Sequence, residues 1–208
     1  MSVRFDGKRE DGPQDGKTGV SPEEGVAVVR KMEALARRKH EGQVRKGAER
    51  LPYIVHPAAV VDQLKAWGYT ETDDPVVIAT AWGHDLIEDT DVRDEEILAA
   101  CGALGDEVLS AIRALSFRPE GRLTDAEYDA AKAKYVAGVA QLAPEILVVK
   151  LADRLCNTRD FQAWKPERAA GYLAKGQFLF ARLTDARSGE IKGMEAIRAT
   201  YGALVRSL

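Results

Sequence analysis

Six consecutive residues, His84-Asp85-Leu86-Ile87-Glu88-Asp89, hold one imidazole and three carboxylates. On helical geometry Asp85 and Glu88 are three apart, while His84 and Glu88, and Asp85 and Asp89, are four apart, so neighbouring side chains converge on one small volume. The run before them, from Val76 to Trp82, reads as a buried helical segment opened by Asp74 at the N-cap and Pro75 at the first position. The acids therefore fall near the C-terminal end of a helix predicted over 75–88. Carboxylates there face the negative end of the helix dipole, at about 0.3–1 kcal/mol each when exposed, and repel one another. A bound cation removes that penalty. The chemistry this spacing predicts is metal binding.

A metal ion needs more donors than one dipeptide offers. The chain has three histidines, His40, His56 and His84. His56 lies in Pro52-Tyr53-Ile54-Val55-His56-Pro57, just before a helix expected to start at Pro57. Downstream, an apolar helix from Pro144 carries Lys150, Asp153, Arg154 and Asn157 at positions i, i+3, i+4 and i+7, one face. The residues around that face are apolar, so its polar groups are expected to be buried and to need partners. His56, His84, Asp85 and Asp153 make a mixed nitrogen and carboxylate set suited to Mn(II), Fe(II), Zn(II) or Ni(II) rather than to a thiolate site. Lys150 or Arg154 is expected to supply ion pairing that holds the site together. This identifies a class of metal and no substrate. Plainer readings stand beside it. His40 closes the cationic stretch Arg37-Arg38-Lys39, where positive charge suits a helix C-terminus. Arg45 and Lys46 alone read as a solvated loop, and Tyr53 as a core aromatic with a bonded hydroxyl.

Taken in order, Arg45-Lys46, Pro52-Tyr53-Ile54-Val55-His56-Pro57, His84-Asp85-Leu86-Ile87-Glu88-Asp89-Thr90 and Lys150-Leu151-Ala152-Asp153-Arg154-Leu155-Cys156-Asn157 resemble the HD-domain hydrolases of RelA/SpoT type. The stand-alone small alarmone hydrolases are the most similar group. The resemblance spans roughly residues 25 to 185. It implies an all-α HD-domain helical bundle with one Mn(II) on His56, His84, Asp85 and Asp153. It implies Glu88 and Asp89 as catalytic acids, Arg45 and Lys46 as a nucleotide-contacting basic pair, and Asn157 in the same pocket. Tyr53 and Lys150 join them as expected substrate contacts, and Lys134 and Tyr135 align loosely with others. The reaction implied is hydrolysis of the ester linking the 3′-pyrophosphate to the ribose of ppGpp or pppGpp. Two alternatives stay open: another nucleotide on the same scaffold (an adenine alarmone, a nicotinamide dinucleotide phosphate or a nucleotide monophosphate), or a regulator that binds metal and nucleotide without turnover.

Three positions depart from the family pattern. Gly83 stands where a bulky aliphatic residue is usual, which lets the helix end bend or a neighbour approach closely. Cys156 replaces a His or Tyr, and Thr158 a Leu or Met. Since position 156 is expected beside the pocket, these departures bear on substrate identity more than on metal binding.

The remaining sequence is read as the scaffold. Residues 1–20 are rich in Gly, Asp and Lys and are expected to be a mobile tail, with one domain over 21–208. Ser21-Pro22-Glu23-Glu24 is a capping box opening a helix to about His40, and Thr124-Asp125-Ala126-Glu127 is a second. Helices are expected near 57–67, 75–88, 93–100, 106–115, from 124 to before Pro144, from Pro144 to about Arg159, and near 166–186 and 190–205. A loop is expected over 41–55. The net charge of −3 gives no general affinity for nucleic acid or membranes. Two cysteines argue against a disulfide framework, and no apolar run reaches the ~18 residues of a spanning helix. The expected partner is a small nucleotide, the expected compartment the cytoplasm, and assembly into a homo-oligomer is left open.

Overall fold

The structure, a computed structural model, describes residues 19–45, 50–119, 121–139, 141–158 and 191–206, together with 171, 172, 174, 176, 180 and 181. The helices named here are α1 (Pro22–Lys39), α2 (Val55–Ala66), α3 (Pro75–Gly83), α4 (Leu86–Asp89), α5 (Asp94–Cys101), α6 (Gly105–Leu115), α7 (Asp125–Val139), α8 (Pro144–Thr158) and α9 (Met194–Arg206). A 3₁₀ turn, Gly102–Leu104, joins α5 to α6. Among the described residues the β structure is one isolated antiparallel bridge, Val44 to Pro52. The fold is all-α. No described helix is long and apolar enough to cross a membrane. The tail and most of the helix expected near 166–186 lie outside the described residues.

α3 is the hub. It is apolar on every side, all nine of its residues are buried, and it packs against α1, α2, α6 and α8. α1 carries its apolar stripe, Val28, Val29, Met32, Leu35 and Ala36, onto α3 and α5. α2 lies between α3 and α8. Burial of the α3 end thus brings α2, α3 and α8 to one place.

Both predicted capping boxes form. Ser21 Oγ accepts the Glu24 N–H while Glu24 accepts the Ser21 N–H at 2.7 Å, and Glu127 likewise accepts the Thr124 N–H at 2.8 Å. Asp74 occupies the N-cap position of α3 but does not cap it. Its carboxylate accepts the Thr70 N–H and the Lys192 ammonium instead. α2 starts at Val55, two residues before Pro57, because Pro57 lacks only an N–H that a first helical turn leaves unpaired anyway.

The single helix expected over 75–88 is broken. α3 ends at Gly83, His84 and Asp85 keep right-handed backbone angles without continuing it, and α4 restarts at Leu86. The cause is local. In a continuous helix the Ala81 carbonyl accepts the Asp85 N–H; here it accepts the His84 Nδ1–H at 2.7 Å. The break turns the His-Asp pair across the end of α3.

Two glycines make the packing possible. A Cβ on Gly83 would sit 2.5 Å from Ile112 Cδ1 and 2.8 Å from Met32 Cε, so close approach is what this position requires. Gly193 has φ +72°, and a Cβ there would lie 1.9 Å from the Trp67 carbonyl oxygen. Gly83→Ala is expected to destabilise by about 1–3 kcal/mol, because the ends of two flexible side chains can shift. Gly193→Ala is expected to cost more, since a backbone oxygen cannot rotate away and the φ is strained for any side chain. Denaturant midpoints of the two variants check the order, and adding Ile112→Val should recover part of the Gly83→Ala loss alone.

Candidate metal centre

Three segments supply the centre: His56 from the first turn of α2, His84 and Asp85 from the break between α3 and α4, and Asp153 from α8. Nε2 of His56 and Nε2 of His84 are 3.3 Å apart. Asp85 Oδ2 lies 3.3 Å from His84 Nε2 and 3.6 Å from His56 Nε2. Asp153 Oδ1 lies 3.2 Å from His56 Nε2 and 3.9 Å from His84 Nε2. His56, His84 and Asp153 are buried, and ligating atoms from His56, His84 and Asp85 all fall within 4.8 Å of one another.

The donor set fits a cation. A carbonyl only accepts, so the bond to Ala81 places the His84 proton on Nδ1 and leaves the Nε2 lone pair facing the centre. That lone pair meets a second imidazole nitrogen and two carboxylate oxygens. In the neutral state these acceptors outnumber the protons available to pair them, and a divalent ion satisfies them together.

The electrostatics are arranged around this volume. Burial raises the carboxyls, but Lys150 and the imidazoles outweigh it and hold Asp153 well below the usual carboxylate range, with Asp85 lowered too. The Lys150 ammonium lies 3.0 Å from Asp153 Oδ2. Burial works against the charge of Lys150, yet Asp153, Tyr135 and Asp85 raise its pKa above the ordinary lysine value. Arg154 does not share that pairing; its guanidinium sits 4.6 Å from the Tyr172 ring centroid.

The sequence-derived site residues fall into place as follows. Tyr53 Oη is 2.8 Å from Asp85 Oδ2 and 2.6 Å from Asp89 Oδ2, one hydroxyl serving two carboxylates. Glu88 Oε1 accepts the Phe117 N–H, and its carboxyl is raised by burial and by the Asp85 charge, against the pull of that bond, Lys150 and Lys132. Arg45 Nη2 donates to Asn157 Oδ1 at 2.8 Å, and Asn157 Nδ2 donates to Asp153 Oδ1 and to Tyr172 Oη. A line of contacts therefore runs from the loop arginine to the centre. Lys46 lies outside the described residues. Of the loosely aligned pair, Lys134 is exposed and Tyr135 donates to the Leu115 carbonyl. Cys156 is buried within the core cluster, and Thr158 Oγ1 donates to the Leu155 carbonyl. Sequence reasoning missed Gln43, Phe117 and Tyr172. Gln43 was detectable only as a polar residue three after His40, and the Phe117 contact is a main-chain one that no side-chain pattern encodes.

Residues 33–191 match the family model described as an HD domain. Over 183 residues the chain is 30% identical to guanosine-3′,5′-bis(diphosphate) 3′-pyrophosphohydrolase MESH1 of Danio rerio, covering 88% of this chain and 93% of that protein. The chain belongs to the HD domain family, among its SpoT/MESH1-like members. This HD domain is also 30% identical over 143 residues to a guanosine-3′,5′-bis(diphosphate) 3′-pyrophosphohydrolase of Vibrio cholerae, 69% of this chain and 19% of that protein. It spans about a fifth of the length of several such longer relatives. A solved structure described as a metazoan ortholog of SpoT that hydrolyzes ppGpp and plays a role in starvation responses has the same fold. The TM-score is 0.62 at 24% identity, with 85% of this chain and 96% of that one covered.

A pH dependence follows from Glu88. Its folded-state pKa is raised, so its contribution to stability is complete below the unfolded-state value and is lost as pH rises through the folded-state value. Glu88→Gln keeps an acceptor for the Phe117 N–H and carries no charge. Thermal unfolding of the chelated protein should show the variant gaining on the parent as pH rises through that window, with the difference constant above the folded-state value. A parent that gains on the variant with rising pH would remove the burial effect.

Proposed function

We propose that this HD domain is a Mn(II)-dependent phosphohydrolase that cleaves the 3′-pyrophosphate from ppGpp or pppGpp, leaving GDP or GTP and pyrophosphate. The observation that carries the reading is the convergence of His56, His84, Asp85 and Asp153 on one point beside Glu88 and Asp89. The name of the Danio rerio relative, which aligns over nearly the whole of both chains, supports the choice of nucleotide. The two imidazoles and two carboxylates hold the metal in this reading. When bound, it neutralises phosphate charge and makes hydroxide available near neutral pH.

The protein's own groups do the rest. Water adds to the ester phosphorus, the bond from phosphorus to the ribose 3′ oxygen breaks, and that oxygen leaves with a proton. Glu88, its pKa raised by burial and its carboxylate oriented by the Phe117 amide, takes the proton of the attacking water, and Asp89 delivers one to the leaving oxygen. Arg45 and Lys46 neutralise the phosphates or hold the base. Tyr53, Lys150 and Asn157 border the same volume, each also bonded to a carboxylate of the centre. The substrate is a small nucleotide and the compartment the cytoplasm.

A Mn(II)-loaded assay of ppGpp against ppApp, with products identified, tests the reading; pyrophosphate with GDP is expected. Glu88→Gln should lower turnover by about 10²–10⁴-fold while metal content is unchanged. His84→Ala should lose both metal and turnover. Elemental analysis beside the kinetics separates the two cases, and full metal content in His84→Ala would remove that residue from the ligand set.

Arg45 provides an independent check. If it holds the nucleotide, Arg45→Ala loses a charge-assisted contact of about 1.5–3 kcal/mol and lowers kcat/KM by an order of magnitude or more. Unchanged kcat/KM at low and high salt would remove Arg45 from the substrate contacts and leave it a structural role, with its bond to Asn157 and its place over the Tyr53 ring.

A further inference from the structure

His40 is buried at the end of α1 although its position there is one that a solvated cation would fill. Its ring stacks on Tyr53 with centroids 4.6 Å apart and planes 22° from parallel. Its Nδ1 is 2.8 Å from Gln43 Oε1, and Gln43 Nε2 donates to the Asp89 carbonyl at 2.8 Å. The Asp89 carbonyl only accepts, so the Gln43 amide must present its nitrogen there and its oxygen to His40. Nδ1 of His40 is then the donor. Nε2 is buried with no hydrogen-bond partner among the described residues, an arrangement that costs stability.

The main chain ties the same residues together. Gln43 N–H donates to the His40 carbonyl, and Tyr53 N–H to the Gln43 carbonyl. The two contacts made by this group reach one acid from opposite ends: Tyr53 holds the Asp89 carboxylate and Gln43 its carbonyl.

We propose that His40 and Gln43 are positioning residues, a brace behind the reactive face that fixes Tyr53 and the end of α4 and thereby aims the Asp89 carboxylate. The inference rests on the proposed role of Asp89 in the hydrolysis. Neither residue touches substrate or metal. The brace sets the rate of the chemical step rather than the affinity for nucleotide or ion.

His40→Phe keeps an aromatic ring against Tyr53, deletes the unpaired buried nitrogen and loses the bond to Gln43. If His40 only packs, this variant should be as stable as the parent or more so, with unchanged kinetics. If it positions, kcat should fall about tenfold or more with KM within about twofold and full Mn(II) content, since small misplacements of a reacting group have such effects. His40→Asn, which can place an amide nitrogen near the lost Nδ1, should recover part of the rate. Gln43→Met removes the other end of the brace from a less buried position, so its folding is not in question. It should lower kcat similarly, and the double variant should be no worse than the worse single one. Amide hydrogen exchange over residues 86–92 provides a readout independent of turnover: it should quicken in Gln43→Met and in His40→Phe. Parental kcat in both variants, or unchanged exchange in both, overturns the brace. If the parent itself hydrolyses no ppGpp, the proposed substrate fails, and the brace stands or falls on the exchange measurement.

Discussion

Two imidazole nitrogens, from His56 and His84, are held 3.3 Å apart, and the one from His84 offers only a lone pair there. His84 has committed its proton to the Ala81 carbonyl, and the oxygens of Asp85 and Asp153 crowd the same point, so acceptors outnumber donors. The arrangement persists only because each group is fixed from behind: His84 by the broken end of α3, His56 by the first turn of α2, Asp153 by Lys150 and Asn157 on its own helix. Scaffold rigidity keeps this crowd of acceptors in place, and a divalent ion held by His56, His84, Asp85 and Asp153 would satisfy them together. The burial of α3 on all sides is therefore part of the site, because it is what stops the three segments from separating.

Charge around the centre is divided by the same logic. Lys150 is close enough to Asp153 to keep it ionised, although burial opposes charge on both. Glu88 is farther from that lysine and remains raised, so one pocket contains carboxyls pushed in opposite directions. Groups held low suit metal binding, and a group held high suits proton transfer near neutral pH. Stability is given up at Glu88 for that separation.

Much of this was legible in residue types and spacing. The four residues expected as ligands, histidines and acids set beside apolar helices, are the ones the fold brings together, and the capping boxes located the starts of α1 and α7. What stayed hidden was set by tertiary contact. The break after Gly83 depends on a side chain taking a main-chain carbonyl, which helical periodicity does not register. Asn157 read as a pocket residue, yet it also bridges Arg45 and Asp153 across 112 residues of sequence separation from Arg45. Arg154 shares a helical face with Lys150 in sequence, but its guanidinium faces the Tyr172 ring, brought in by the chain beyond α8, rather than Asp153.

The departures from the family pattern acquire a different meaning once placed. The Cβ that Gly83 lacks would point at Ile112 and Met32, not at the pocket, so the glycine answers a demand of core packing between α1, α3 and α6. Cys156 lies in that same continuous core, and Thr158 ties its hydroxyl to a carbonyl of its own helix. Polar and aromatic contacts gather elsewhere: at the Arg45 loop with Asn157, and at Phe117, Lys132 and Tyr135, where the Lys132 ammonium lies 4.0 Å from one ring centroid and 5.0 Å from the other. The Phe117 amide also holds Glu88. A change in that aromatic group would thus reach Glu88, the acid to which the proposed hydrolysis gives the proton transfer, through one stretch of main chain.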